Sequence, residues 1–170
     1  MGELGSAPLP EVSPEDHVHG PAGAPSLIEY ADFECPFCAA LALELSGLEA
    51  RRVFRHFPVR SSHPRAWAAA CAAEAAGLQG RFWEMHDSLF ADQGRLEDPH
   101  LWARATELGL DLERFEGDRR SEAVQARVRR DFSSGVRAGV VTTPTIFVGG
   151  QMHAGRIDER TLASLRIRTR

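Results

Sequence analysis

The sequence predicts one α/β domain, a small mixed sheet interrupted in its middle by a block of helices. Three observations carry this. Short apolar runs at 26–31 and 51–57 flank a helix-forming stretch, the pattern from Pro64 to about Ala138 is that of successive helices, and strand character returns at Thr145-Ile146-Phe147-Val148. A chain of 170 residues, 43% hydrophobic and 26% charged, is large enough to bury a core without disulfide staples, and it contains no internal repeat.

In chain order, residues 1–25 hold Pro8, Pro10, Pro14, Pro21, Pro25 and four glycines, the composition of a flexible tail and entry loop. Residues 26–170 form the domain. Ser26 to Ala31 reads as a buried strand in which Glu29 is the one charged residue. From Pro36 to Ser46 the residues are helix formers, with proline in the first turn and Gly47 as the stop. Arg51 to Phe57 reads as a second strand ending at Pro58. The insertion, about residues 60–138, divides into an Ala-rich helix through Cys71 to Gly77, then helices at Phe82–Phe90, Pro99–Leu108, from Asp111, and from Glu122. After the strand at 145–148, Gly149-Gly150 makes a hairpin turn into Gln151–Ala154, and a short helix runs from Asp158 to Arg168.

Composition removes several functions. A formal charge of −4 argues against a nucleic-acid or acidic-membrane binder, and no apolar run approaches the roughly 20 residues of a membrane span. All twenty basic residues are arginine, which excludes Schiff-base and P-loop chemistry. The N-terminal residues lack the layout of a signal peptide, so the chain as written reads as cytoplasmic, or as exported if a leader has been removed.

Cys35-Pro36-Phe37-Cys38 carries the sharpest chemistry, because it follows a strand and opens a helix. Unpaired amides and the dipole of a helix N-terminus stabilise an anion, so the Cys35 thiolate is expected to have a pKa of roughly 3.5 to 7.5. Pro36 and Phe37 offer no cation, so backbone amides are expected to supply nearly all of that shift. Cys35 is then the attacking thiol, and Cys38, one turn on, the resolving one. The competing reading is half of a zinc site completed by His56 and His63, but no second Cys-x-x-Cys exists and neither histidine has the spacing of a finger, so no metal is expected.

Glu29 to Cys38, taken together with Thr143-Pro144-Thr145-Ile146-Phe147-Val148-Gly149-Gly150, resembles the DsbA-like members of the thioredoxin superfamily. Arg55-His56-Phe57-Pro58 and Phe82-Trp83-Glu84-Met85-His86 extend the similarity, which spans about residues 16–165. The resemblance implies a thioredoxin-like fold whose helical insertion lies between the second and third central strands. It also implies a cis Pro144 facing the disulfide, with Thr143 against the sulfurs. Pro36, Phe37, Thr143 and Pro144 are thus the substrate-binding candidates. Glu29 would be the buried acid that moves the proton of the resolving cysteine, its pKa raised by burial without a cationic partner. Its alternative is a strand-edge carboxylate reaching water. The stretch between Cys38 and Phe54 is shorter than the family pattern, which confines the active-site helix to a stop near Gly47.

The remaining candidates read as structural. Cys71 is expected to be a buried apolar side chain, and Trp67, Trp83, Trp102, Phe82, Phe90 and Phe115 the core of the insertion. His17-x-His19 reads as decoration of the tail, and the arginines from Arg119 to Arg137 as a solvated face balanced by acids. The expected function is thiol–disulfide exchange on protein or peptide cysteines by a monomer without cofactor beyond the Cys35–Cys38 disulfide, reset by a redox partner. Two alternatives stand beside it: a glutaredoxin-like reductase using a small thiol, and a non-catalytic module that binds extended peptide or docks on a partner such as a transporter.

Overall fold

A computed structural model describes residues 7–166. Five strands and seven helices follow in the order β1 (His17–His19), β2 (Ser26–Ala31), α1 (Pro36–Ser46), β3 (Arg51–His56), α2 (Ala66–Gly77), α3 (Phe82–Ala91), α4 (Asp98–Glu107), α5 (Leu112–Arg120), α6 (Glu122–Arg137), β4 (Thr145–Val148), β5 (Gln151–Ala154) and α7 (Glu159–Ser164). The sheet order is β1-β3-β2-β4-β5. β2 and β3 are parallel, joined by the crossover α1, and the other pairings are antiparallel. Helices α2 to α6 lie between β3 and β4 in sequence, so the insertion separates the second and third central strands.

Side chains alternate across β2 with period two, which assigns them to two cores. Leu27 and Ala31 face α1, α7 and the inserted helices, and Glu29 shares their side. Ile28 and Tyr30 face the opposite layer with Val53, Phe57, Phe147 and the chain just after α6. Gly135 lets α6 approach that layer, since a Cβ there would lie 2.7 Å from the Phe57 ring and 3.0 Å from Tyr30.

The structure corrects three expectations. Residues 17–19, read as tail, form an edge strand whose Val18 pairs with Val53. The preceding segment is held as well: Arg55 donates to Asp16 at 2.8 and 3.0 Å, to the Tyr30 hydroxyl and to the Glu11 carbonyl. Trp102 is exposed and donates from Nε1 to Glu116 instead of joining the core. Helix α7 ends at Ser164, short of the expected Arg168, and residues 167–168 lie outside the described part. The basic stripe is balanced by acids as expected: Arg119 and Arg120 pair with Glu116, Arg127 with Asp131, Arg129 with Glu122 and Arg130 with Glu15.

Candidate active site: two thiols at a helix N-terminus

Cys35 is the N-cap of α1, in extended conformation, with Pro36 in the first turn where a missing N–H costs nothing. Its own amide donates to the Asp32 carbonyl at 3.1 Å, and its carbonyl accepts from Cys38 N at 3.1 Å and Ala39 N at 3.2 Å. Both thiols are free and buried. Pro36 and Phe37 are exposed beside them, Phe37 with 57% of its surface open. From the other side of the chain, the Thr143–Pro144 peptide bond is cis, and the Thr143 carbonyl lies 3.5 Å from Cys35 Sγ. Pro144 is buried, and its carbonyl accepts from Gly155 N.

The two sulfurs are electrostatically unequal. Cys35 falls from 9.0 to about 5, chiefly because the Cys38 side chain hydrogen-bonds to the thiolate; Thr143 and the Cys38 and Phe37 amides add to this against the opposing effect of burial. The expectation that backbone amides would supply nearly all of the shift is thus corrected: the Cys38 side chain is the largest single stabiliser. Cys38 is pushed well above its ordinary value, first by burial and then by Cys35. A charge on Glu29 would act in the same direction. Cys71 is raised to about 11 by burial and by Glu74, a thiol that stays protonated.

Glu29 is completely buried, which removes the strand-edge alternative. It is not without a cation, however. Arg52 Nη2 lies 3.4 Å from Glu29 Oε2, because the parallel register sets Arg52 opposite Leu27, on the same face of the sheet as Glu29. The Arg52 guanidinium is itself covered by the Trp83 ring at 5.5 Å. The pairing is incomplete, since Glu29 Oε1 and Arg52 Nε have no hydrogen-bond partner.

Two supports of the site have no strong signal in the sequence. Gln93, after α3, donates from Nε2 to the carbonyls of Phe33 at 2.8 Å and Cys35 at 2.9 Å, so the insertion fixes the loop that presents Cys35. Asp32 accepts from Glu34 N, Val59 N and the His63 ring, while its own amide donates to Cys38 Sγ at 3.5 Å. Asp followed two residues later by a turn amide is a local pattern that could have been read; Gln93 could not. His56 bonds Glu74 and His63 bonds Asp32, so neither completes a metal site with the thiols.

A sheet of this order, carrying a Cys-x-x-Cys pair at the start of α1 opposite a proline loop and a helical insertion before β4, defines a DsbA-like protein of the thioredoxin superfamily. The chain belongs to the thioredoxin family, which matches residues 12–165. In structure it is similar to a thioredoxin-like oxidoreductase from Silicibacter pomeroyi, with a TM-score of 0.80, 27% identity, and coverage of 90% of this chain and 91% of that one. It is also similar to DsbA2 of Pseudomonas aeruginosa, with a TM-score of 0.70, 26% identity, and coverage of 91% and 94%. In sequence it is 45% identical over 164 residues to a Na(+)/H(+) antiporter NhaA of Herminiimonas arsenicoxydans, covering 92% of this chain and 26% of the relative. It is 43% identical to the NhaA 1 antiporter of Mycolicibacterium gilvum, covering 91% and 27%. The chain therefore spans about a quarter of the length of these antiporter relatives. Among the described residues no helix is long and apolar enough to cross a membrane.

The low Cys35 value has a kinetic consequence. At pH 6 a thiol of pKa about 5 is about nine-tenths thiolate, roughly 300-fold more than a free cysteine of pKa about 8.5. Nucleophilicity falls with basicity, with a Brønsted slope of about 0.4–0.5, which cuts the advantage to roughly tenfold. Alkylation of Cys35 by iodoacetamide is expected to be about tenfold faster than that of free cysteine at pH 6 and to level off above it. A rate that keeps climbing through pH 8–9 would show that Cys35 is not a stabilised thiolate.

Proposed function

We propose that the protein is a thiol–disulfide oxidoreductase acting on protein or peptide cysteines through Cys35 and Cys38. The observation that carries this reading is the unequal pair: an ionised sulfur at the opening of α1, 3.5 Å from the Thr143 carbonyl, and a protonated, buried one a turn away. In the reducing direction, the Cys35 thiolate attacks a substrate disulfide, forming a mixed disulfide and expelling one substrate thiolate, which takes a proton from solvent. Cys38 then loses its proton and attacks Cys35 Sγ; the second substrate thiol leaves, the substrate has gained two electrons, and the enzyme holds a Cys35–Cys38 disulfide. Run backwards, the same steps oxidise a dithiol.

Glu29 is proposed as the group that takes the Cys38 proton, with Arg52 setting the charge beside it. Pro36, Phe37, Thr143 and Pro144 form the contact surface for an extended substrate. Thr143 presents its backbone beside Cys35, and Phe37 presents an exposed ring. A redox partner resets the pair, a dithiol donor in the reducing direction and a two-electron acceptor in the oxidising one.

Insulin disulfide reduction, run with dithiothreitol alone and with glutathione added, tests the reading. Turnover without glutathione is expected; turnover only with glutathione would favour the glutaredoxin-like alternative. The antiporter names of the relatives support a second reading, a thioredoxin-like unit that serves a membrane transporter by docking. Absence of turnover under either condition would favour that one. The Cys35–Cys38 potential fixes the direction: a value near the roughly −120 mV of a strong oxidase, rather than the roughly −270 mV of a thioredoxin, assigns oxidation.

A further inference from the structure

We propose that His17, His56 and Glu74 form a binding site for a divalent transition-metal ion of the zinc class, separate from the redox thiols. Each residue comes from a different element: His17 from the edge strand β1, His56 from the end of β3, and Glu74 from the inserted helix α2. One donor atom of each lies within 4.8 Å of the other two. Glu74 Oε1 is 2.7 Å from His17 Nε2 and 2.7 Å from His56 Nε2. Two imidazoles and one carboxylate are a known zinc donor set that leaves a fourth position for water.

Packing holds both rings in place. His17 stacks flat on Phe82, with centroids 3.5 Å apart and planes 3° apart, and His56 stands edge-on to Phe54 at 5.3 Å. The second carboxylate oxygen of Glu74 faces Arg127 Nε at 3.9 Å, and Arg127 is paired with Asp131. Asp131 in turn accepts from the His56 amide at 3.1 Å. These contacts hold the Glu74 carboxylate and the His56 backbone in place, while His56 Nδ1 is buried with no hydrogen-bond partner. With neutral imidazoles, the charges of Glu74, Asp131 and Arg127 sum to −1, the sign that attracts a dication. A cleft of about 450 Å³ between Glu15, Leu78 and Arg127 opens on His17, whose side chain is 19% exposed, so an ion and its water have a way in.

Bonds of about 2.0–2.1 Å in a tetrahedral site place donors about 3.3 Å apart. Binding therefore widens the present 2.7 Å hydrogen bonds by roughly 0.6 Å and moves each ring hydrogen from Nε2 to Nδ1. No electron is transferred. The ion would tie a three-residue edge strand to the insertion, across 57 positions of sequence.

Because thiolates also take zinc, the test uses the full chain with Cys35 and Cys38 oxidised to the disulfide. Zn²⁺ is titrated against a chromophoric chelator, and Co²⁺ reports the donor set by its absorption. The expected result is one equivalent bound with micromolar or tighter affinity, with Co²⁺ bands that lack thiolate charge transfer. His17→Ala, at a partly exposed edge position, is expected to weaken binding at least tenfold while leaving the circular dichroism spectrum unchanged. Glu74→Gln, where it folds, does the same. Absence of stoichiometric binding, or binding that His17→Ala leaves intact, would overturn the site and leave the three residues as a hydrogen-bonded clasp only.

Discussion

Cys38→Ser protein is expected to accumulate as covalent adducts with its substrates, whereas Cys35→Ser protein forms none and loses exchange activity altogether. The asymmetry follows from the two sulfurs. Cys35 is ionised at neutral pH, so it can attack a substrate sulfur unaided. Cys38 is fully buried and held protonated, so it acts only after Cys35 has become a disulfide and no longer needs its hydrogen bond. Removing Cys38 blocks the second step and strands the mixed disulfide. It also removes the largest stabiliser of the Cys35 thiolate, so the trapped species should form more slowly at pH 6 than at pH 8. Non-reducing gels after incubation with an oxidised peptide check both results. Turnover by Cys38→Ser at the unmodified rate, or adducts formed by Cys35→Ser, would reverse the roles; Cys71→Ser is expected to change neither.

The same shift links redox state to stability. The folded value of Cys35 is depressed, so its stabilising contribution to the reduced protein is fully present above the unfolded value near 8.5 and is lost as pH falls through about 5. The oxidised protein has no such group. The stability of the reduced form relative to the oxidised form is therefore expected to rise as pH increases from about 5 to about 8.5.

Arg52→Met is expected to cost about 3–5 kcal/mol, because it leaves the fully buried Glu29 carboxyl without the Arg52 guanidinium it is paired with. For a domain of this size that corresponds to a fall in Tm of roughly 6–20 °C. The pair itself is imperfect: a single 3.4 Å contact, with Glu29 Oε1 and Arg52 Nε unpartnered. Replacing both residues by apolar ones is accordingly expected to restore most of the loss, as Glu29→Leu with Arg52→Met, by the rule that isosteric apolar substitution of a buried ion pair is often neutral. Thermal melts of the two single variants and the double variant complete the cycle. A single Arg52→Met within about 0.5 kcal/mol of the parent would show that Glu29 is not held as an ion. The double variant also isolates the proposed proton role. If Glu29 takes the Cys38 proton, a stable double variant still resolves mixed disulfides slowly and regains speed at high pH, which a purely structural role would not produce.

The sequence alone determined the elements near the thiols. Pro36 and the helix formers after it place Cys35 at a helix N-terminus, the local fact on which the proposal of Cys35 as nucleophile rests. Hydrophobic period changes at Pro58 and Thr145 marked where the helices enter and leave the sheet. Tertiary structure decided the partners. Arg52 reaches Glu29 only because β2 and β3 run parallel in one particular register, and Gln93 reaches the Cys35 carbonyl only because the insertion folds back over the site. In the sequence His17 has the character of a tail residue, because two histidines among prolines carry no periodicity. It became a strand because Val18 and its neighbours find β3, and it came to share Glu74 with His56 for the same reason. Periodicity and capping depend on neighbours a few residues apart and are written in the chain. A buried charge or a shared ligand takes its character from whichever group arrives across the fold, and that is set by register and packing.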